Sequence, residues 1–365
     1  MTWYHHIATF LNYSLPQLRA TRRTNLALLT VAILERRALA IAVLVRAWRV
    51  ELPYPHHQRK KRLFRFLSNT GFDTVAVQTA LLGPICLGPI CQTARLKGLA
   101  PIMIDWSDLG QGRNGLFAAV CFRGRGLPLL SWVSTPRELD PSQNRVEEFF
   151  IGRLLRHLPT NIRPLLLADR GFGRASLIRF VQQMPRHTGY TVDYVIRLRG
   201  DVVVQRADCR GRLRDYPLRK GRILFRPQTL YRSDGAVVIN LVLYWARGHR
   251  EPWYLATSLS NPRQAVRMYR KRMQPEQYFR DGKQRFGLNR STVTTTDRLQ
   301  RLLVGLLLAC CLLILAGLRT SPTFRKQVCS RGKLGILHLG YEYYLATPDP
   351  PYHLFAFQRH QTGYA

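Results

Sequence analysis

Four residues in the C-terminal third follow the spacing Y-x2-R-x3-E-x6-K: Tyr269, Arg272, Glu276 and Lys283. On a helix that turns by about 100° per residue, these side chains fall within one narrow stripe. The stripe presents one carboxylate framed by two cations, and it predicts that Tyr269, Arg272 and Lys283 contact phosphates. An ordinary charged helix, in which Glu276 pairs with Arg272 or Arg280, gives the same local pattern. The spacing therefore needs support from the rest of the chain.

Two aspartates supply further carboxylates upstream. Asp105 follows the apolar run 101–104, and Asp169 follows the apolar run 164–168. Three carboxylates brought together repel one another unless divalent cations neutralise them, and hard oxygen ligands suit Mg²⁺ or Mn²⁺. Two such ions would activate a water or a 3′-hydroxyl on one side and stabilise the leaving oxygen on the other. Asp105, Asp169 and Glu276 are therefore the predicted catalytic and metal-binding residues.

Both aspartates have a competing interpretation. Asp108 lies close to Asp105, but Asp105 is preferred because it is expected to end the strand directly, whereas Asp108 is predicted in the following turn. Asp169 has no such acidic neighbour. Its alternative role is to cap the turn into the next helix.

The chain is strongly basic, with 56 Lys and Arg against 21 Asp and Glu and a formal net charge of +35. This charge favours nucleic acid as the partner, although an anionic membrane surface or a ribosomal location would explain the same charge. Residues 58–67 predict a helix with an apolar face on a core and a basic face on phosphates. Its basic residues are Arg59, Lys60, Lys61, Arg62 and Arg65. The alternative is an ordinary solvated face.

The apolar run from Leu302 to Leu318 is the main candidate for a membrane span. Its length of about 17 residues is at the short end of what a bilayer requires, and a buried core helix is the favoured interpretation. We therefore predict no membrane partner. The seven cysteines lack paired C-x2-C spacing, and no signal peptide is recognisable, so a reducing cytoplasm is expected. Cys86 and Cys91 could form half a zinc site, but no partner pair follows them.

Residues 100–198 alternate strands and helices in the order three strands, helix, strand, helix, strand. This is the order of the ribonuclease-H-like fold, in which a carboxylate on the first strand meets another on the fourth. The predicted strands are 101–106, 116–122, 127–133, 165–168 and 194–197, and the predicted helices are 143–158 and 174–183.

The next stretch predicts a β-rich insertion, with a hairpin turn at Asp234-Gly235. Its predicted strands are 201–206, 222–225, 229–232 and 236–245. The predicted architecture is an α/β ribonuclease-H-like catalytic core with this insertion and a helical N-terminal DNA-binding domain. The predicted units are 1–95 (helical, DNA-binding), 96–198 (first part of the core), 199–255 (insertion), 256–320 (catalytic helix and buried apolar helix) and 321–365 (basic, loop-like tail).

Three segments together resemble the DDE transposases of the bacterial insertion-sequence-four family. They are IDWSDL at 104–109, LADRGFG at 167–173 and YRKRMQPEQYFRDGK at 269–283. The resemblance covers roughly residues 100–318, and the Y-R-E-K spacing is its most specific part.

This resemblance implies cut-and-paste transposition of an insertion element, with Asp105, Asp169 and Glu276 as the metal-binding triad. It also implies double-stranded DNA as the partner, both at the terminal inverted repeats and at the target. A homodimer is expected in the synaptic complex, because two DNA ends must be held together. A bacterial, nucleoid-associated location in the cytoplasm would follow.

Two positions depart from the family pattern. Met273 stands where Trp is common, and Pro275 stands where an aliphatic residue is common. Pro275 predicts that the helix kinks or restarts just ahead of Glu276. A stacking role could pass to Trp245 or Trp253, although a strand Trp is more often part of the core. A ribonuclease-H-like host nuclease or resolvase, or an inactive DNA-binding descendant, remain alternative functions.

Overall fold

A computed structural model describes residues 2–48, 53–83, 99–122, 124–140, 143–158, 162–207, 210–273, 285–288, 291–328 and 334–350. Its N-terminal helices are α1 (Trp3–Ser14), α2 (Ala20–Arg36), α3 (Ile41–Ala47), α4 (His56–Leu67) and α5 (Thr74–Leu81). Helix α5 begins at Asp73, whose carboxylate accepts the backbone N–H groups of Val75 and Ala76 at 2.9 Å. Such a cap satisfies N–H groups that have no partner within the helix. The described part of this segment is helical, as its periodicity predicts.

The first half of a mixed sheet follows in the predicted order of elements. The elements are β1 (Ala100–Asp108), β2 (Asn114–Phe122), β3 (Arg125–Ser134), α6 (Pro136–Leu139), α7 (Gln143–Arg156), β4 (Pro164–Ala168), α8 (Ala175–Gln183), α9 (Pro185–Thr188) and β5 (Asp193–Arg197). Strands β1, β4 and β5 are parallel neighbours, and β2 runs antiparallel between β1 and β3. The carboxyl end of β4 therefore lies beside residue 104 of β1, where the pairing of these two strands ends.

The predicted insertion extends the same sheet. Its strands are β6 (Val203–Gln205), β7 (Arg210–Arg212), β8 (Ile223–Arg232), β9 (Ala236–Tyr244) and β10 (Trp253–Thr257). The described residues form one ten-stranded sheet in the order β3-β2-β1-β4-β5-β10-β9-β8-β6-β7. The hairpin at Asp234-Gly235 joins β8 and β9, as predicted.

Two predicted strands, 222–225 and 229–232, are a single strand, β8. Its pairing with β9 shifts register between Arg226 and Thr229, where Gln228 has a φ of 51°. A local bulge disturbs the side-chain alternation without ending the strand, which explains why the pattern predicts two strands there.

The last described elements are helical. They are α10 (Pro262–Arg270), a short 3₁₀ turn (Lys271–Met273), α11 (Thr296–Arg319), α12 (Pro322–Val328) and α13 (Ile336–Ala346). The prediction of a loop-like tail from Ser321 is wrong for the described residues. Helix α13 crosses α11 so closely that a Cβ on Gly340 would lie 1.8 Å from the carbonyl oxygen of Leu313. A glycine at 340 permits this backbone contact.

Helix α11 is the one described helix that is long and apolar enough to cross a membrane, and its side chains are buried inside the protein. It packs against α2, α4, α5, α13 and strand β3. Arg301 at its N-terminal end donates to the Leu67 carbonyl at 3.0 Å, and Arg298 donates to Ser68 Oγ at 2.9 Å. The apolar run is thus a core helix here, which is the favoured interpretation of its sequence.

Candidate active site

The alternation of strand residues places both predicted aspartates on one face of the sheet. Met103 in β1 and Leu167 in β4 belong to a small buried cluster between the sheet and α10. Successive strand residues point to opposite faces, so the side chains two positions further on return to that face. Asp105 and Asp169 occupy those positions.

The strand register brings the two aspartates together. The last Cα partners of the parallel pair β1–β4 are Ile104 and Ala168, and the next residue on each strand is an aspartate. Strand β1 continues to Asp108 through its pairing with β2, so Asp105 does not end the strand, contrary to the sequence interpretation. It ends the pairing with β4. The β1–β4 pairing ends at this point, and the residue that follows it on each chain segment is a partly buried aspartate.

The competing residue, Asp108, has a different environment. Its side chain is exposed and accepts the backbone N–H of Gly110 at 2.8 Å. That contact shapes the turn between β1 and β2. The position of Asp108 thus suits a turn residue, whereas that of Asp105 suits a site residue.

Arg272 from the 3₁₀ turn after α10 reaches Asp105. Its Nη1 lies 3.1 Å from Asp105 Oδ2, and the two side chains are only 13% and 19% exposed. Burial works against the guanidinium charge, but Tyr269, Asp105 and Asp169 outweigh it and raise the pKa of Arg272. The site therefore holds a fixed positive charge beside the two carboxylates.

Tyr269 supports this arginine from the inner face of α10. It is 4% exposed, and its ring packs edge-to-face on Trp253 with centroids 5.1 Å apart. Burial raises the pKa of Tyr269, and the charge and hydrogen bond of Arg272 partly oppose that rise. Trp253 also contacts Tyr244 and His249, so its ring is part of this packed cluster.

Asp169 combines a capping role with a role at the site. Its Oδ1 accepts the backbone N–H of Gly171 at 2.8 Å, which starts the 3₁₀ turn Arg170–Phe172. Within the described residues its Oδ2 accepts no hydrogen bond. One oxygen therefore orients the carboxylate, and the other can serve as a ligand. The capping interpretation is correct for this side chain but does not exclude the catalytic one.

Glu147 of α7 is a residue that the sequence interpretation missed. It is 1% exposed and accepts Trp106 Nε1 at 2.7 Å and Gln143 Nε2 at 3.1 Å. It also pairs with Arg174. Trp106 directly follows Asp105 and Arg174 lies just after the Asp169 turn, so Glu147 joins the side chains of two residues that are close in sequence to the two aspartates. The sequence does contain a signal for its burial, because Glu147 lies on the same helix face as Phe150, Ile151 and Leu154.

Glu276 and Lys283, together with Pro275, lie outside the described residues. Among the described residues, no three or more metal-ligating side chains cluster together. The described part of the site contributes two carboxylates, Asp105 and Asp169, which are oxygen donors suited to a hard divalent cation. Their charge and the available Oδ2 of Asp169 fit such an ion.

Helix α4 presents only part of its predicted basic face. Lys60, Lys61 and Arg65 are exposed, and Arg62 donates to Asn25 Oδ1 at 2.8 Å. Arg59 is buried, although it was predicted to lie on the basic face. It lies on the same side of the helix as Leu63 and Phe66, which are buried in the core. The exposed basic surface of α4 therefore consists of Lys60, Lys61 and Arg65, with Arg62 at its margin.

The comparison with curated proteins finds no match for the chain. The family model described as the transposase DDE domain matches residues 108–312. This match spans more than half of the chain and contains Asp169 and the whole Y-R-E-K spacing. It starts three residues after Asp105, whose assignment therefore depends on the geometry above. The chain belongs to the transposase DDE domain family, which supports a transposase function.

Proposed function

We propose that the protein moves an insertion element by cut-and-paste transposition, by hydrolysis at the element's ends and strand transfer into target DNA. The observation that carries this proposal is the placement of Asp105 and Asp169 directly after paired strand positions on one face of the sheet, with Arg272 in contact with Asp105. The strand order β3-β2-β1-β4-β5, with β1, β4 and β5 parallel, supports a ribonuclease-H-like core for this chemistry.

Asp105, Asp169 and Glu276 would hold the divalent metal ions, Mg²⁺ or Mn²⁺. Two bound ions would supply Lewis acidity toward the attacking and leaving oxygens of a phosphodiester. The chain's own part is to fix the carboxylates. The Gly171 N–H orients Asp169, and Glu147 holds the residue after Asp105.

Arg272 would serve two partners in turn. Without DNA its guanidinium balances Asp105. A guanidinium has five N–H donors in a planar fork, so it can also hold a phosphate. We infer that arriving DNA draws Arg272 toward a phosphate and leaves Asp105 available to metal. Lys283 would add a second phosphate contact, and Tyr269 would orient Arg272 from its buried position.

The N-terminal helices would recognise the terminal inverted repeats. Lys60, Lys61 and Arg65 form an exposed basic surface on α4. Helix α4 is fixed to the core helix α11 through the contacts of Arg298 and Arg301. DNA bound on α4 would thereby be held in a set relation to the catalytic sheet. A homodimer would bring two such DNA ends together.

DNA cleavage by the Asp169→Asn variant tests the proposed transposase function. The variant keeps the size of the side chain and loses its negative charge, so we expect Mg²⁺-dependent nicking of a duplex carrying the element's end to fall by at least about a thousandfold. Binding of the same duplex should change by less than about threefold, because phosphate contacts supply most DNA affinity. Asp108→Asn is the matched control and should cleave like the wild type. Undiminished cleavage by Asp169→Asn would refute the metal-site assignment.

A further inference from the structure

Helix α10 carries three arginines on its outer face. Arg263, Arg267 and Arg270 are spaced i, i+4 and i+7 and are all exposed. At about 100° per residue they lie within about 60° of one another. The opposite face packs on the sheet through Ala265, Val266, Met268 and Tyr269.

The row of arginines leads to the candidate active site. Arg270 directly precedes the 3₁₀ turn whose Arg272 contacts Asp105. Its guanidinium donates to Tyr244 Oη at 2.7 Å. This contact uses one of the five N–H donors of the guanidinium, so the others can bind a second partner.

Helix stability does not account for all three arginines. Cations in the last turn are favoured by the helix macrodipole, which explains Arg267 and Arg270. Arg263 lies in the first turn, where the dipole disfavours a cation and no acidic residue balances it. Within the described residues, neither Arg263 nor Arg267 forms a hydrogen bond or an ion pair. In the part of the chain that the structure describes, the charges of Arg263 and Arg267 are therefore not compensated by a hydrogen bond or an ion pair.

A regular row of uncompensated guanidinium groups suits a polyanion with a regular charge spacing. From Arg263 to Arg270 the helix rises about 10 Å, at about 1.5 Å per residue. Duplex DNA carries a phosphate about every 3.4 Å along the axis on each strand, so the row spans about three nucleotides. Contacts of this kind position the DNA and do not depend on its sequence.

We propose that Arg263, Arg267 and Arg270 form a phosphate-binding track, on which one strand of double-stranded DNA lies as it enters the site of Asp105 and Asp169. The proposal rests on the transposase function proposed above. It assigns to α10 a sequence-independent contact, separate from the α4 surface.

The test compares DNA binding by the full-length protein and by the double variant Arg263→Gln/Arg267→Gln, without metal. The probe is a fluorescent duplex of random sequence, and its affinity is measured by anisotropy over a range of salt concentrations. We expect the slope of log affinity against log salt to fall in magnitude by about two, because each neutralised phosphate contributes about 0.9. Affinity at moderate salt should fall about tenfold.

Two controls separate the track from general basicity and from misfolding. Arg137→Gln/Arg186→Gln removes two exposed arginines from α6 and α9 and should leave the slope unchanged. Arg263→Lys/Arg267→Lys keeps both charges and should restore the slope. If Arg263→Gln/Arg267→Gln binds DNA like the wild type, with the same slope of log affinity against log salt, the proposed track is wrong. The transposase proposal would not be affected by that result. Loss of cleavage in Asp169→Asn with an altered track slope supports both proposals.

Discussion

The two faces of the sheet differ in what they bury. One face joins a large apolar core that runs from Trp3 to Leu337 and includes the apolar side chains of α11 from Leu299 to Ala316. The other face joins α10 through a small cluster that ends at Asp105, Asp169 and Arg272. Burial of apolar surface stabilises the fold, whereas the removal of charged groups from water costs stability. The difference indicates that one face supplies most of the stability and the other supplies the chemistry.

Strand alternation produces this division. Residues 102 and 104 of β1 point into the large core, and residues 103 and 105 point toward α10. A charged residue at 105 is therefore tolerated, because the α10 face ends there. An aspartate at position 104, in place of Ile104, would put a charge into the large core.

The largest expected effect is on the large-core face, at the crossing of α11 and α13. A Cβ on Gly340 would meet backbone atoms that cannot rotate away, so Gly340→Ala must separate the two helices. We expect the free energy of unfolding to fall by about 3 kcal/mol, at the upper end of overpacking effects. Chemical denaturation measures it. Gly211→Ala in β7 is the matched control, since a Cβ there meets nothing within 4 Å. Equal stability of both variants would contradict the close crossing.

This crossing also shows where sequence patterns fail. The alternation of strands and helices and the apolar run of α11 are local patterns, and they predicted the order of elements along residues 100–198 and the buried helix. Helix α13 mixes Tyr and His with apolar residues, and its packing depends on Gly317 and Gly340 meeting across the chain. No local periodicity encodes such a contact between distant residues, which is why the tail was predicted as a loop.

A smaller effect is expected directly behind the site. Glu147→Gln keeps the shape of the side chain but leaves Arg174 without its buried counter-charge. Breaking a buried ion pair by removing one partner costs about 3–5 kcal/mol, and the amide that remains in Glu147→Gln should reduce this cost to about 2 kcal/mol. We expect the midpoint temperature of thermal unfolding to fall accordingly. DNA cleavage should also fall, because the contact that holds Trp106, next to Asp105, is weakened.

Glu148→Gln is the control for that prediction. Glu148 Oε1 lies 4.0 Å from Arg174 Nη2, but the Glu148 side chain is 32% exposed. Loss of its charge should therefore lower the free energy of unfolding by less than about 1 kcal/mol. If the two variants were equally stable, Glu147 would have no special role. Cleavage at wild-type level by a destabilised Glu147→Gln protein would limit that role to stability.

Only part of the candidate site could be predicted from the sequence. The two aspartates were found because each follows an apolar strand, and the family match covers only one of them. The contact of Arg272 with Asp105 joins residues 167 positions apart. Sequence spacing predicted Arg272 as a phosphate contact, but a bond between distant side chains depends on the folded sheet and on α10.

The smallest effect on stability, and the sharpest on chemistry, is expected for Arg272→Gln. The variant removes the cation that balances Asp105, and a divalent ion then no longer competes with a guanidinium for that carboxylate. We expect Mn²⁺ affinity without DNA to rise about tenfold, equivalent to about 1.4 kcal/mol, by isothermal titration calorimetry. Cleavage should nevertheless fall, because the phosphate contact is lost. Arg267→Gln, on the same helix but away from Asp105, should bind Mn²⁺ as the wild type does. Weaker Mn²⁺ binding by Arg272→Gln would show that Arg272 organises the metal site, and the proposed exchange of Arg272 between Asp105 and DNA would be wrong.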